Sequence, residues 1–553
     1  MTRIPARRTP RAALAAASLL LAALAAACSD STGPKAGSAS DVALDVGQFA
    51  LYQGSATTSA LHFPAPGSTA AHYLVAAQFA TGSADESGAY TLASALTAPA
   101  GAAPLLASAG AAGSVASRFH DRLRQLEGRL AADARAARAA GALPAPPVAR
   151  APATVTPPVV GAKRTFRVCG DLDCAALVNV PATAQYVGAH AAIFLDDSAP
   201  AGGFTATDIA QVGQQFDTDL YPIDHLAFGA ESDIDSNGVV IILLTRKVNA
   251  LVNKTECQTS FVTGFFFGAD LSAATRAAYN NGEVFYGMVP DPAGLVSCPY
   301  TVSQVRRLIT VTFIHEFQHM ISFNQHVLVR GGDTEVLWLN EALSHLAEEL
   351  GGLHYDSLAD TTTASHFFIG DFYNAGQYLK DPTALAVITE TSPGELAQRG
   401  AEWMFVRYLV DRFGPLTPSR LVNTSQLGSA NVYQVTGVAF ATLLGRWALA
   451  AYVSDLPGYT APSDLTYASW HFRAQFASLH AQDPTDFTSA WPLVPTPVSP
   501  SAAAVTGTLR SGSPKYLLVT LPAGSGAYTL TLTASGTGFP SLAGVQFAVA
   551  RLP

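Results

Sequence analysis

His315-Glu316-Phe317-Gln318-His319 reads H-E-x-x-H. On a helix, residues four apart lie on one face about one turn apart, so both imidazoles reach the same cation. The glutamate beside the first histidine can reach a water on that cation. A third ligand is needed. Glu341, in the second helical pattern Trp338-Leu339-Asn340-Glu341-Ala342-Leu343-Ser344-His345, is the natural candidate. Two histidines and one glutamate with one position open form the arrangement of catalytic zinc, not of closed structural zinc. Zinc lowers the pKa of its bound water, and Glu316 would take that water's proton as general base. A bare H-E-x-x-H also occurs as a structural histidine pair. The N-E-x-x-S downstream, at an interval that lets two helices pack antiparallel, favours the metal.

Two helices must position these side chains. Thr301-x-x-Gln304 has the form of a capping box ahead of an apolar run. Leu308–Phe323 is apolar nearly all round, which predicts a buried helix. Buried His and Glu are costly unless paired or metal-bound. Arg330-Gly331-Gly332-Asp333 supplies a turn, and Gly351-Gly352 is expected to end the second helix.

His315-Glu316-x-x-His319 followed by Asn340-Glu341-x-x-Ser344 resembles the gluzincin metallopeptidases, the thermolysin-like clan. The closer wording H-E-F-Q-H-M-I-S-F-N and W-L-N-E-A-L-S-H is similar to the hyicolysin family of secreted bacterial zinc peptidases. The resemblance is specific over Thr301–Gly352, diffuse over the rest of 161–490 and absent outside it. It implies a zincin-like domain, with an α/β N-terminal and a helical C-terminal subdomain. It also implies His315, His319 and Glu341 as zinc ligands and Glu316 as general base. Four residues after the ligand glutamate, where thermolysin-like enzymes carry an Asp supporting a ligand His, stands His345.

The chain has 553 residues, too many for one core. Hydrophobic residues make up 49%, much of it alanine, so a positive mean hydropathy does not by itself signal a membrane protein. A net charge of −9 with no basic stripe after the N-terminus argues against nucleic acid as a partner. Arg3, Arg7, Arg8 and Arg11 precede a short apolar run, Ala13–Ala27, in the manner of an export signal. Leu24-Ala-Ala-Ala-Cys28 resembles a lipobox, so a membrane contact through lipid on Cys28 is expected, with 29–40 as tether. An ordinary secretory signal with a chance Cys is the alternative. Four cysteines remain. Proximity favours the disulfides Cys169–Cys174 and Cys257–Cys298, as an exported chain allows.

The fold class expected is α+β, with the peptidase domain flanked by small β-sandwich-like modules. The divisions are 1–28 signal, 29–40 tether, 41–115 β module, 116–160 helix and Pro-rich linker, 161–490 peptidase domain and 491–553 C-terminal β module. His72–Leu92 (HYLV…GAYTL) recurs loosely as Lys515–Leu530 (KYLLV…GAYTL). Ser117–Ala142 is helical by propensity but has a sparse apolar face, which reads as a spacer or propeptide-like helix. Gly238–Thr245 reads as a buried strand, and Gly282–Met288 as an edge strand able to bind extended peptide. Asp233-Ile-Asp235-Ser-Asn237-Gly238 begins like a calcium loop, although Leu244 stands where that loop needs a glutamate. A plain Asx-rich turn is the alternative. Tyr355, Tyr373, Tyr378 and His366 are candidates to stabilise an oxyanion.

The function expected is a lipid-anchored or secreted zinc endopeptidase acting on protein or peptide. A surface-binding protein with a degenerate peptidase fold and a zinc hydrolase of non-peptide substrates are the competing readings.

Overall fold

The computed structural model describes residues 35–36, 39–94, 114–143, 156–390, 395–500, 505–535 and 543–553. The expected signal segment with Cys28, and most of the Pro-rich linker, lie outside them. The chain is α+β. The described residues fall into two compact units, one drawn from 110–378 and 389–437, the other from 2–109, 379–388 and 438–553.

In the second unit the two terminal β segments, expected as separate modules, share their sheets. One sheet runs Lys35–Ala36, Phe49–Gln53, Val545–Leu552, Ala71–Phe79, Lys515–Leu521, Thr496–Val498. The other runs Val505–Arg510, Ser87–Ser94, Tyr528–Ala534, Thr58–Phe63, Ala39–Asp41. The loosely recurring segments are partners, with Val75 opposite Leu517 and Leu92 opposite Leu532. Their alternating apolar residues, among them Tyr73, Val75, Leu517, Val519 and Leu530, fill one common core. Unpaired edges are a liability that pairing between the two segments removes.

The first unit is built on a six-stranded sheet in the order Gly264–Phe266, Val284–Gly287, Val240–Leu244, Ala191–Asp196, Leu177–Val187, Lys163–Cys169. Val240–Leu244 is buried throughout and lies parallel to both neighbours, as its unbroken β-branched and leucine run requires. The expected edge strand is interior: Val284–Gly287 is flanked on both sides, and Gly264–Phe266 takes the edge. The Phe-rich segment supplies that extra antiparallel strand, with Phe265 opposite Tyr286 and their rings stacked. Helix Val302–Phe323 lies against this edge strand. Gly264 permits the approach, since a Cβ there would collide with the Tyr286 carbonyl and the Thr312 methyl. Both expected disulfides, Cys169–Cys174 and Cys257–Cys298, are formed.

Gly351-Gly352 does not end the second helix, which runs Leu337–Ser357. The glycines serve packing instead. A Cβ on Gly352 would sit within 2.8 Å of three Phe368 ring atoms, and one on Gly351 would be 2.9 Å from Phe367. Both phenylalanines belong to helix Thr361–Lys380. Gly352→Val should therefore destabilise the unit by about 1–3 kcal/mol in urea unfolding, the usual scale of overpacking. Gly370→Ala, on the exposed face of Thr361–Lys380 with nothing within 4 Å, should instead stabilise by about 0.5–1 kcal/mol. Equal effects at the two positions would contradict this packing.

Candidate metal centre

The motif helix is capped as its sequence predicts, with Thr301 and Gln304 bonded reciprocally. From Thr312 to Phe323 every residue is buried. Within it His315 and His319 turn their Nε2 atoms toward one another at 3.2 Å. Helix Leu337–Ser357 brings Glu341 to the same point: Oε1 lies 3.6 Å from His319 Nε2 and Oε2 3.8 Å from His315 Nε2. Ligands of one tetrahedral zinc, each about 2.0–2.2 Å from the metal, stand roughly 3.3 Å apart. The three side chains thus fit a single cation between them.

The remote nitrogen of each imidazole is tied. His315 Nδ1 is 2.7 Å from Glu348 Oε1, and His319 Nδ1 is 3.0 Å from Asn340 Oδ1. Such partners orient a metal-binding histidine and leave its other nitrogen for the metal. Burial holds the His319 pKa well below the usual imidazole value, so the ring is neutral, as a ligand must be. Both Glu341 oxygens are buried without a hydrogen-bond donor. Arg399 Nη1 lies 3.0 Å from Oε2, near enough for ionic attraction but not aligned as a hydrogen bond. Burial by itself would raise Glu341. The Arg399 guanidinium, followed by the neighbouring imidazoles, holds it well below the carboxylate range. A buried carboxylate with both oxygens unbonded, facing two tied imidazoles, suits a metal.

A second grouping, His315 with His345 and Glu348, also lies close together. Its 2.7 Å contact is hydrogen-bond length and too short for two ligands of one zinc. His345 Nδ1 instead donates to Asp371 Oδ1 at 2.8 Å and approaches Glu348 at 3.2 Å. Burial opposes its charge, but Glu348 and Asp371 together hold the His345 pKa high. His345 is one step removed from the centre: it steadies Glu348, which steadies His315.

Glu316 stands at the edge strand. Phe266 N donates to its Oε2 at 2.7 Å. Burial raises its pKa, partly offset by His315, Arg124 and the Phe266 N–H. Its Oε1 faces His120 Nδ1 at 3.8 Å. His120 belongs to helix Val115–Ala139, expected as a spacer or propeptide-like helix. In fact its polar face is buried at the centre. Asp121 approaches Arg399 at 3.4 Å, Arg124 donates to the Phe266 carbonyl at 2.6 Å, and Glu127 accepts from Gly268 N at 2.6 Å. His120, Arg124 and Glu127 fall at helical spacing (i, i+4, i+7), a polar stripe beside the apolar one of Phe119, Leu123, Leu126 and Leu130, of which Phe119 and Leu123 are buried with it. Asn340 stands in the N-E-x-x-S motif and Glu348 two turns after Glu341 on the same helix, while Arg399 has no such signal. Among the aromatic candidates, Tyr355 has its hydroxyl engaged by Asp219 and Gln215. Asp233 and Asp235 lie in another part of the unit, beside Glu283.

No protein-family model matches the chain. Over 140 residues it is 29% identical to the neutral metalloprotease ShpI of Staphylococcus hyicus, a match covering 25% of this chain and 30% of that protein. The chain thus aligns with less than a third of that relative's length. The similarity supports a relationship to metallopeptidases.

Arg399→Met should discriminate a metal centre from a merely structural ion cluster. Removing one partner of a buried ion pair costs about 3–5 kcal/mol where nothing else neutralises the remaining charge. The variant should therefore lose several degrees of Tm as metal-free protein and markedly less when loaded with a divalent metal. Equal losses in both forms would show that no metal meets Glu341.

Proposed function

We propose that this chain is an exported zinc endopeptidase, held in a closed form by helix Val115–Ala139. In this reading His315, His319 and Glu341 hold Zn²⁺, and Glu316 is the general base. The observation that carries it is the convergence of two tied imidazoles and an unbonded buried carboxylate, with a further glutamate one residue from the first ligand. Bound zinc supplies a water of lowered pKa and polarises a carbonyl. Glu316 accepts the water's proton and passes it to the leaving amine. Phe266 N–H fixes Oε2, so Oε1 is the oxygen turned to the proton. Burial brings the carboxyl nearer to neutrality, where a base that must both take and return a proton works best.

Peptide as the substrate is supported by the metalloprotease similarity and by the edge strand Gly264–Phe266. An exposed strand edge binds extended peptide through its backbone. The outward Phe266 C=O at the end of this strand, and the Gly268 N–H just beyond it, are taken by Arg124 and Glu127. The helix that carries them must leave before substrate enters. Two disulfides suit an oxidising compartment outside the cytoplasm. Anchoring by lipid on Cys28 follows from the residues before it.

Glu316→Gln keeps shape but cannot accept a proton. It should retain zinc, measured by metal analysis, and lose at least about 10²-fold in kcat on a peptide library. Near wild-type turnover by a zinc-loaded Glu316→Gln variant would exclude this mechanism.

The double change Arg124→Ala/Glu127→Ala frees the edge strand. Hydrogen bonds to charged groups are worth about 1.5–3 kcal/mol each, so peptide turnover should rise at least about tenfold. Unchanged turnover would make the helix a permanent wall. If neither wild type nor this variant cleaves any peptide in the library, the surface-binding reading replaces the peptidase one.

A further inference from the structure

The loop leading into strand Val240–Leu244 carries Asp233 and Asp235. The neighbouring parallel strand begins at Val284, opposite Ile241, and so brings Glu283 beside that loop. One carboxylate oxygen from each of the three lies within 4.8 Å of the other two. Among the described residues none of the three forms an ion pair with Lys, Arg or His. Arg164 acts on Asp235 only from beyond ion-pair distance. Its guanidinium donates to the Asn280 carbonyl and lies over the Phe166 ring.

Glu283 is the deciding residue. It is 1% exposed. Its Oε1 is satisfied by Ser232 Oγ at 2.5 Å and Ile234 N at 2.9 Å. Its Oε2 is buried and has no donor. An unbonded carboxylate oxygen beside two further carboxylates is costly unless a proton or a cation fills the gap. Without a cation, burial pushes Glu283 up to about 7, with Asp235 adding to the rise. Gly282 also belongs to the arrangement, since a Cβ there would sit 2.7 Å from Asp235 Oδ2 and force it away.

We propose that Asp233, Asp235 and Glu283 bind a calcium ion. The donors are all oxygen, which selects a hard cation over zinc. Two of the three carboxylates sit on a loop, which tolerates the longer, less regular coordination of calcium better than the strict octahedron of magnesium. The loop sequence resembles the opening of a calcium loop, but the closing glutamate comes from the adjacent strand, 48 residues after Asp235 rather than nine. Asn237 is not a ligand: its Oδ1 accepts from Val239 N and its amide donates to Asp235. Calcium bound here pins the loop to the start of the strand beside the peptide-binding edge. The site is independent of the zinc reading.

The test uses the full chain with its zinc content measured throughout. About 2 mM Ca²⁺ should raise Tm by at least about 3 °C, as binding to the folded state alone requires. Mg²⁺ at the same concentration should do less, and Tb³⁺ luminescence should report the site directly. Glu283→Gln should retain zinc and match or exceed wild-type Tm in chelator, because a charge repulsion is gone. It should lose the calcium shift. Asp233→Asn, at a more exposed position, should also lose the shift and serves if Glu283→Gln does not fold. No calcium shift in wild type, a larger one with Mg²⁺, or a shift that survives both substitutions would overturn the proposal.

Discussion

Charge burial is the constraint on which the first unit depends. Glu316 and Glu341 sit behind Asp121, Arg124 and Glu127 of one helix and beside Arg399 of another, all nearly inaccessible. Isolated, any of these groups would be expensive to bury. Together they form a shell in which each charge is faced by an opposite one or by a backbone group: Glu341 by Arg399, Arg399 by Asp121, Glu127 by Arg124 and Gly268 N–H. The Glu341 oxygens remain unbonded within it. The positive charge still wanted there is of the size and position that a metal between His315, His319 and Glu341 would supply.

The edge strand is the shared resource of the site. Phe266 presents its N–H to Glu316 and its C=O to Arg124, so one residue links Glu316 to the helix that covers it. A strand edge left open is a template for any extended chain. Here side chains of a helix, not another strand, occupy it. Side chains withdraw more readily than a paired strand, which suits a cover that is temporary.

The second unit has a different logic. Its strands come from both terminal parts of the sequence and are interleaved within both sheets. Neither terminal segment completes its core without the other, since residues of both fill it. The similar wording of the two segments reflects similar positions: strands that pair side by side face the same core and need the same alternation of apolar residues.

Local chemistry was legible in the sequence. The capping box at Thr301, the buried character of Leu308–Phe323, the shared face of His315 and His319 and the buried run at Val240–Leu244 all follow from neighbours within a few residues. Cys169–Cys174 follows in the same way, and Cys257–Cys298, 41 residues apart, follows from being the pair that remains. What the tertiary structure decided is what depends on distant partners. Glu348 rather than His345 bonds His315, because helix geometry places position 348 opposite the imidazole two turns beyond Glu341. Gly351 and Gly352 lie within a helix because Phe367 and Phe368 pack on them, a contact no local rule contains. Gly264–Phe266 takes the sheet edge from Gly282–Met288 by a pairing between segments of equal β propensity. Helix Val115–Ala139 reads as a surface spacer because much of its buried face is polar, with His120, Asp121, Arg124 and Glu127 buried beside Phe119 and Leu123. A polar stripe is soluble by default, and only a site with complementary charges, built some two hundred residues later, can bury it.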